Sequence, residues 1–195
     1  MRLAAHVAVK YIVGKMTDED LLHQLKAASE NHCLFYEQVS GEWIDGAERK
    51  KMRKAIVYTS VHHGNTEKLV KRIAEECQVD LIDAIKQMNA DLNDYDMIGF
   101  ASGIYYSKFH QSILKFSEEN LSADKKVFLI CTYGGSANFK SIEQILNKKH
   151  ASVVGKFGCK GYDTFGPFKL VGGIAKGHPD EEDMKNAVDF VKGLH

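Results

Sequence analysis

The sequence has few of the residues that mark specialised protein classes. Only two of its 195 residues are proline, which argues against long disordered stretches. None of its four cysteines forms a CxxC pair or has a histidine at metal-ligand spacing, so we expect free or buried thiols and no metal site. No apolar run approaches the roughly 18 residues that span a bilayer. The apolar start also lacks a small-residue cleavage site, and we expect a cytoplasmic protein.

Neither sign of charge predominates in the chain. Lysine plus arginine number 26, and aspartate plus glutamate number 26 as well. Without a net field of one sign, neither nucleic acid nor an anionic membrane is an expected partner. The basic run at residues 49–54 could bind phosphate or nucleic acid, but a solvated linker is the better interpretation. Binding must therefore come from a local site.

From Lys54 onward, short apolar runs alternate with amphipathic stretches, as in a parallel sheet covered on both faces. The predicted strands are residues 55–60, 79–85, 96–101, 127–132 and 152–159. Apolar residues between them recur at helical spacing and predict the buried faces of helices: Leu69, Val70, Ile73, Ala74 and Cys77; Ile113, Leu114, Phe116 and Leu121; Phe139, Ile142, Ile145 and Leu146. The pattern predicts one α/β domain over residues 54–195.

Two further segments stand outside this alternation. The run that begins at His178 predicts a last helix with Pro179 in its first turn, after a long, glycine-rich connection at residues 160–177. Residues 1–53 form a separate small extension. There, residues 17–20 resemble a capped helix start, and residues 34–39 and 42–44 flank a turn at Ser40-Gly41. No function follows for this extension.

The strongest chemical signal is a loop between the first predicted strand of the domain and the helix that follows. A helix start offers unpaired backbone N–H groups and the positive end of the helix dipole, so it can hold a phosphate without lysine or arginine. The hydroxyls of Ser60 and Thr66 and the amide of Asn65 add donors, and Gly64 allows close approach of the backbone. The loop is Ser60-Val61-His62-His63-Gly64-Asn65-Thr66. It fits neither the nucleoside triphosphate loop nor the dinucleotide motif.

The motif Ser-x-x-x-Gly-Asn-Thr, placed between a strand and a helix, resembles the FMN phosphate loop of flavodoxins. The resemblance covers about residues 54–195, including the glycine-rich tail up to Pro179. It implies a flavodoxin-like, doubly wound, five-stranded parallel sheet of order 2-1-3-4-5, with non-covalent FMN as cofactor. The family usually has threonine where His63 stands, so a direct contact of His63 with phosphate remains open.

In a sheet of that order the binding crevice lies at the carboxyl ends of the strands, where the strand order reverses. Two aromatic, glycine-bearing loops follow there and could stack on a flavin ring. By resemblance, the first lines one ring face and the N5 edge, and the second lines the pyrimidine side. The first comprises Ser102, Gly103, Ile104, Tyr105 and Tyr106, and the second Thr132, Tyr133 and Gly134.

The resemblance implies redox function through bound flavin, in one of two forms. The favoured form is an electron carrier that serves a redox partner protein, and the alternative is an NAD(P)H-dependent reductase of quinones, flavins or other small acceptors. A non-redox interaction module on the same fold is the third hypothesis. No catalytic side chain is assigned: Cys131 lacks a nucleophile motif, and His62 and His63 lack a third metal ligand. Around the expected site lysines outnumber acids, with Lys108, Lys140, Lys160, Lys169 and Lys176 against Asp163.

Overall fold

The structure, a computed structural model, describes residues Leu34–Tyr36, Trp43–Asp45 and 52–195. The chain divides into two units, residues 1–51 and 52–195. In the first unit, strand β1 (Leu34–Tyr36) pairs antiparallel with β2 (Trp43–Asp45), and Phe35 lies opposite Ile44. This pairing confirms that the two predicted strands lie antiparallel. The Ser40-Gly41 turn, the helix start at residues 17–20 and Cys33 lie outside the described residues.

The second unit contains a sheet of five parallel strands. They are β3 (Lys54–Thr59), β4 (Asp80–Asp83), β5 (Met97–Tyr105), β7 (Lys126–Tyr133) and β8 (Ser152–Lys160). Their spatial order is β4-β3-β5-β7-β8, which is the predicted order 2-1-3-4-5. A short strand β6 (Lys108–Phe109) turns back antiparallel on β5. The doubly wound α/β fold is therefore confirmed.

Four helices cover the two faces of this sheet. They are α1 (Asn65–Cys77), α2 (Gln111–Asn120), α3 (Lys140–Lys148) and α4 (Glu181–Lys192). One core cluster joins α2 and α3 to the sheet through residues such as Ile113 and Leu146, and the other joins α1 and α4 through Ile73 and Val188. The apolar stripes read from the sequence thus form the buried helix faces. No helix among the described residues is long and apolar enough to cross a membrane.

The third strand of the parallel sheet is longer than predicted. The sequence predicts that this strand ends at residue 101 and that Ser102 to Tyr106 form a loop, but β5 continues to Tyr105. Strand β6 supplies the hydrogen-bonding partners for this continuation, with Ile104 opposite Phe109 and Tyr105 opposite Lys108. Tyr106 and Ser107 form the two-residue turn, with φ of 49° and 63°. Positive φ at both positions is the geometry that two-residue hairpins favour.

The start of the last helix also differs from the expectation. Asp180 is the N-cap residue of α4, so Pro179 precedes the helix and is not in its first turn. The Asp180 carboxylate accepts a hydrogen bond from the Asp183 N–H at 2.9 Å, and the Asp183 carboxylate accepts one from the Asp180 N–H at 3.1 Å. These two reciprocal hydrogen bonds form a capping box, which stabilises the start of the helix at Glu181.

Candidate functional site

The loop between β3 and α1 presents backbone donors at one end of the sheet. His63 and Gly64 have left-handed φ angles of 54° and 68°, and they turn the chain from the strand into the helix. The first backbone hydrogen bond of α1 runs from the Lys68 N–H to the Gly64 carbonyl at 2.9 Å. The N–H groups of Asn65, Thr66 and Glu67 therefore precede the hydrogen-bonded part of the helix, at the positive end of its dipole. This geometry is suited to an anion.

The side-chain hydroxyl of Ser60, the first residue of this loop, is in an unusual environment. Its Oγ is buried and has no hydrogen-bond partner within the described part of the chain. A buried hydroxyl without a partner is costly, and most such groups in native proteins are satisfied. An acceptor bound at this loop would satisfy the Ser60 hydroxyl.

Three other loop side chains are held by the protein itself. The Asn65 amide donates to the Tyr162 carbonyl at 2.8 Å, and the Thr66 and Thr132 hydroxyls share a buried hydrogen bond of 2.9 Å. His63 Nε2 lies 2.8 Å from the Thr164 hydroxyl, and its ring lies 4.5 Å from that of Tyr162. The sequence predicts the Asn65 and Thr66 side chains as phosphate donors, and in the structure each has one protein partner. The Ser60 hydroxyl and the backbone N–H groups at the start of α1 are available to an anion without breaking such a contact.

The two tyrosines of the β5–β6 hairpin have different surroundings. The Tyr105 ring packs between His62, at 5.6 Å, and His110, at 5.4 Å between ring centroids. Burial raises the pKa of Tyr105, and the backbone N–H groups of Val61 and His62 act in the opposite direction. Tyr106 is 81% exposed and contacts Phe165 at 5.0 Å. Tyr105 therefore packs against the loop after β3, whereas Tyr106 is largely exposed to solvent.

The other predicted residues of the hairpin have structural partners. Ser102 is buried, and its hydroxyl donates to the Gly103 carbonyl at 2.7 Å and accepts from the His110 N–H at 2.9 Å. Ile104 packs against the core. A Cβ on Gly103 would lie 2.8 Å from the Tyr105 hydroxyl oxygen, so the phenol lies directly over this glycine. Gly103 is the residue of the hairpin that permits this close approach.

Sequence reasoning missed a chain of polar side chains beside the hairpin. The Thr59 and Ser112 hydroxyls lie 2.6 Å apart, and Ser112 Oγ lies 2.9 Å from His110 Nδ1. His110 is the N-cap residue of α2, and its Nδ1 accepts the Ser112 N–H at 3.2 Å. Burial, and after it the neighbouring His62, lowers the pKa of His110. The signal in the sequence was a histidine directly before a helical stripe, but histidine is an uncommon N-cap.

Thr132 and Tyr133 form the end of β7, next to β5, and Gly134 follows the strand. Thr132 is buried, and Tyr133 packs partly against the core. A Cβ on Gly134 would lie 2.6 Å from that of Asp163, so the connection after β8 approaches this backbone closely. Burial raises the pKa of Cys131 to about 12, which leaves its thiol protonated and unreactive at neutral pH.

One cluster of potential metal ligands occurs among the described residues, formed by His178, Asp180 and Asp183. His178 Nδ1 lies 2.6 Å from an Asp183 oxygen, and the two carboxylates form the cap of α4. The cap and this pair account for the arrangement without a metal ion.

The geometry agrees with comparisons to known proteins. The family described as Flavodoxin domain matches residues 55–163. An uncharacterised protein of Methanocaldococcus jannaschii is 42% identical over 147 residues, which is 73% of this chain and 98% of that protein.

Two solved structures have the same fold. One is oxidised flavodoxin 2 from Bacillus cereus, with 20% identity and a TM-score of 0.50 over 72% of this chain and 95% of that chain. The other is the Flv1 flavodiiron core from Synechocystis sp. PCC6803, with 17% identity and a TM-score of 0.50 over 75% of this chain and 37% of that chain. Together with the strand order and the loop after β3, the family match shows that this chain belongs to the flavodoxin family.

Proposed function

We propose that the chain binds FMN and serves in electron transfer through it. The observation that carries this proposal is the partnerless, buried Ser60 hydroxyl beside the start of α1. A phosphate monoester offers several strong acceptor oxygens and a charge that the helix dipole stabilises. The residues present therefore fit the phosphate of FMN.

The donors around this position suit one terminal phosphate. No lysine or arginine lies within residues 60–66. The nearest cation along the chain, Lys68, donates through Nζ to the Pro179 carbonyl at 3.1 Å. A site of neutral donors at one helix start matches the terminal phosphate of FMN, whereas the diphosphate of FAD continues into an adenosine group that would need further contacts.

The ring would lie between the carboxyl ends of β5 and β7. Tyr106 offers an exposed aromatic face, and the backbone at Thr132, Tyr133 and Gly134 offers groups for a polar ring edge. Bound FMN would exchange one or two electrons with a donor or acceptor. The protein would bind the phosphate, orient the ring and limit its contact with water.

One observation favours the reductase as a second candidate function. Tyr106 and Phe165 contact each other although they come from the β5–β6 hairpin and from the connection after β8. With FMN bound, a contact of this kind would form part of a cover over the ring, which suits a site for a small hydride donor or acceptor. Rapid mixing of the flavin-loaded protein with NADH and NADPH separates the two. Bleaching within about a second favours the reductase, because typical enzyme turnover is 1 per second or faster.

The central proposal is tested by the cofactor that the protein carries. We expect the purified protein to be yellow and to release FMN on acid treatment, identified by chromatography. Release of FAD would contradict the proposal. So would a colourless protein that fails to bind added FMN.

A further inference from the structure

The connection between β8 and α4 carries two aliphatic side chains that are almost fully exposed. Leu170 is 89% exposed and Val171 is 73% exposed, at the end of the short 3-10 helix Gly166–Val171. Single exposed apolar residues are common on protein surfaces, but a contiguous group marks a site of interaction.

The turn that carries these side chains is closed by backbone hydrogen bonds. At its tip, the Gly172 N–H donates to the Lys169 carbonyl at 3.3 Å, and the Gly173 N–H donates to that of Phe168 at 2.8 Å. At its base, Asp163 and Ile174 exchange two backbone hydrogen bonds of 3.1 and 2.8 Å. The two aliphatic side chains are therefore held outward, and little order has to be gained when they bind.

Two exposed aromatic side chains lie in the same connection and in the β5–β6 hairpin. Phe165, 56% exposed, precedes the turn and contacts Tyr106 of the β5–β6 hairpin. We call the area formed by Tyr106, Phe165, Leu170 and Val171 the Leu170 surface. It joins two segments that lie far apart in the sequence.

The charge around the Leu170 surface is positive. Lys108, Lys169 and Lys176 are exposed, and none of them makes an ion pair with a described residue. Residues 164–178 contain no aspartate or glutamate. The preceding acid, Asp163, accepts the Phe165 N–H at 2.8 Å. The zero net charge of the whole chain therefore conceals a local excess of positive charge.

We propose that the Leu170 surface docks on a bilayer containing anionic phospholipid. Leu170 and Val171 insert at the boundary between headgroups and acyl chains, and the three lysines lie at the level of the lipid phosphates. Side chains that protrude this far would need a matching pocket on a protein partner, whereas a fluid bilayer opens around them. The small apolar area makes the binding reversible. This inference does not depend on the identity of the cofactor.

The test is sedimentation of the full chain with lipid vesicles. Vesicles of phosphatidylcholine with about 30% phosphatidylglycerol should bind the protein, and about 0.5 M NaCl should weaken the binding. The double variant Leu170→Ser/Val171→Ser should bind at least about tenfold more weakly, since each buried CH₂ contributes about 0.8 kcal/mol. Lys169→Glu/Lys176→Glu should lower binding by about fivefold or more for each lysine.

The matched control is Ile85→Ser/Met88→Ser, which removes two apolar side chains that are 51% and 54% exposed after β4. This control should bind vesicles as the wild type does. The variant Lys50→Glu/Lys51→Glu, in the basic run at residues 49–54, should also bind vesicles as the wild type does, and a larger loss of binding in it than in Lys169→Glu/Lys176→Glu overturns the proposal. Absence of binding to the anionic vesicles overturns the proposal. Unchanged binding of the Leu170/Val171 variant, or equal binding to pure phosphatidylcholine, overturns it as well.

Discussion

The hydroxyl oxygens of Thr66 and Thr132 lie 2.9 Å apart and are buried. This hydrogen bond joins the first turn of α1 to the end of β7, so it fixes the loop after β3 relative to the strand two positions away in the sheet. Thr66 belongs to the loop predicted to hold the phosphate, and Thr132 belongs to one of the two loops predicted to line the ring.

Replacing either threonine of this pair should lower the free energy of unfolding. Thr66→Val leaves the Thr132 hydroxyl buried without its partner, and we expect the free energy of unfolding to fall by about 1–3 kcal/mol. Thr132→Val should have a similar effect. The double variant should lose less than the sum of the two, because it removes both polar groups. Urea unfolding of the four proteins measures the coupling, and strictly additive losses would show that the hydrogen bond contributes nothing.

Ser60→Ala separates cofactor binding from folding. Because the Ser60 Oγ is buried without a partner, its removal should leave the stability of the cofactor-free protein unchanged or slightly higher. Binding of FMN should weaken by about 1–3 kcal/mol, the usual range for the loss of a hydrogen bond to a charged group.

Riboflavin, which lacks the phosphate, is the control ligand for this variant. It should bind the wild type and Ser60→Ala with equal affinity. Equal loss of affinity for FMN and riboflavin would mean that Ser60 does not contact the phosphate. Unchanged FMN binding would show that the phosphate does not contact this hydroxyl.

Gly103→Ala should disturb Tyr105. The new methyl group would lie 2.8 Å from the phenol oxygen, so the ring has to leave its position between His62 and His110. The effect of Gly103→Ala on stability should therefore shrink in a Tyr105→Leu background, with a coupling of about 0.5–3 kcal/mol. Gly135→Ala is the matched control, because a Cβ there meets no atom within 4 Å. Equal effects of Gly103→Ala in both backgrounds would contradict the contact.

His110 should make stability depend on pH in the acidic range. Its pKa in the folded protein lies below the ordinary value of 6.5, so the unfolded chain takes up the proton first as the pH falls. The stabilisation is complete above about pH 6.5 and is lost as the pH falls towards the lowered pKa. His110→Asn keeps an N-cap acceptor and should lose less stability than the wild type between about pH 7.5 and about pH 5.5.

Unfolding by urea at these two pH values measures the difference. His150→Asn serves as the control, because it removes a histidine that is exposed at the surface. An identical pH dependence in His110→Asn and the wild type would exclude His110 as the source.

The periodic features of the sequence were sufficient to predict the strands and helices of the fold. Continuous apolar runs such as residues 127–132 marked strands buried on both faces, and stripes such as Leu69, Val70 and Ile73 marked helix faces. The order of the strands came from the resemblance of the loop after β3. These signals are local or belong to a known family, which is why they could be read from one chain.

The end of β5 could not be read in the same way. Ser102 and Gly103 are typical of loops, and the turn at Tyr106 and Ser107 lacks the asparagine or glycine that marks a two-residue hairpin. Its conformation depends on pairing with β6. The partners of His63 and Asn65 were also beyond the sequence, because Thr164 and Tyr162 follow them by 101 and 97 positions.

These long separations in the sequence determine when the contacts of the loop after β3 can form during synthesis. Segments close in the chain meet first, whereas contacts between distant segments wait for the later one to exist. A ribosome that has released the chain only as far as β7 has delivered the loop after β3 but not Tyr162 or Thr164. At that stage Asn65 and His63 lack the hydrogen-bond partners that Tyr162 and Thr164 provide. The candidate site therefore acquires these contacts only when the tail emerges, and a nascent chain cut short before residue 162 would lack both of them.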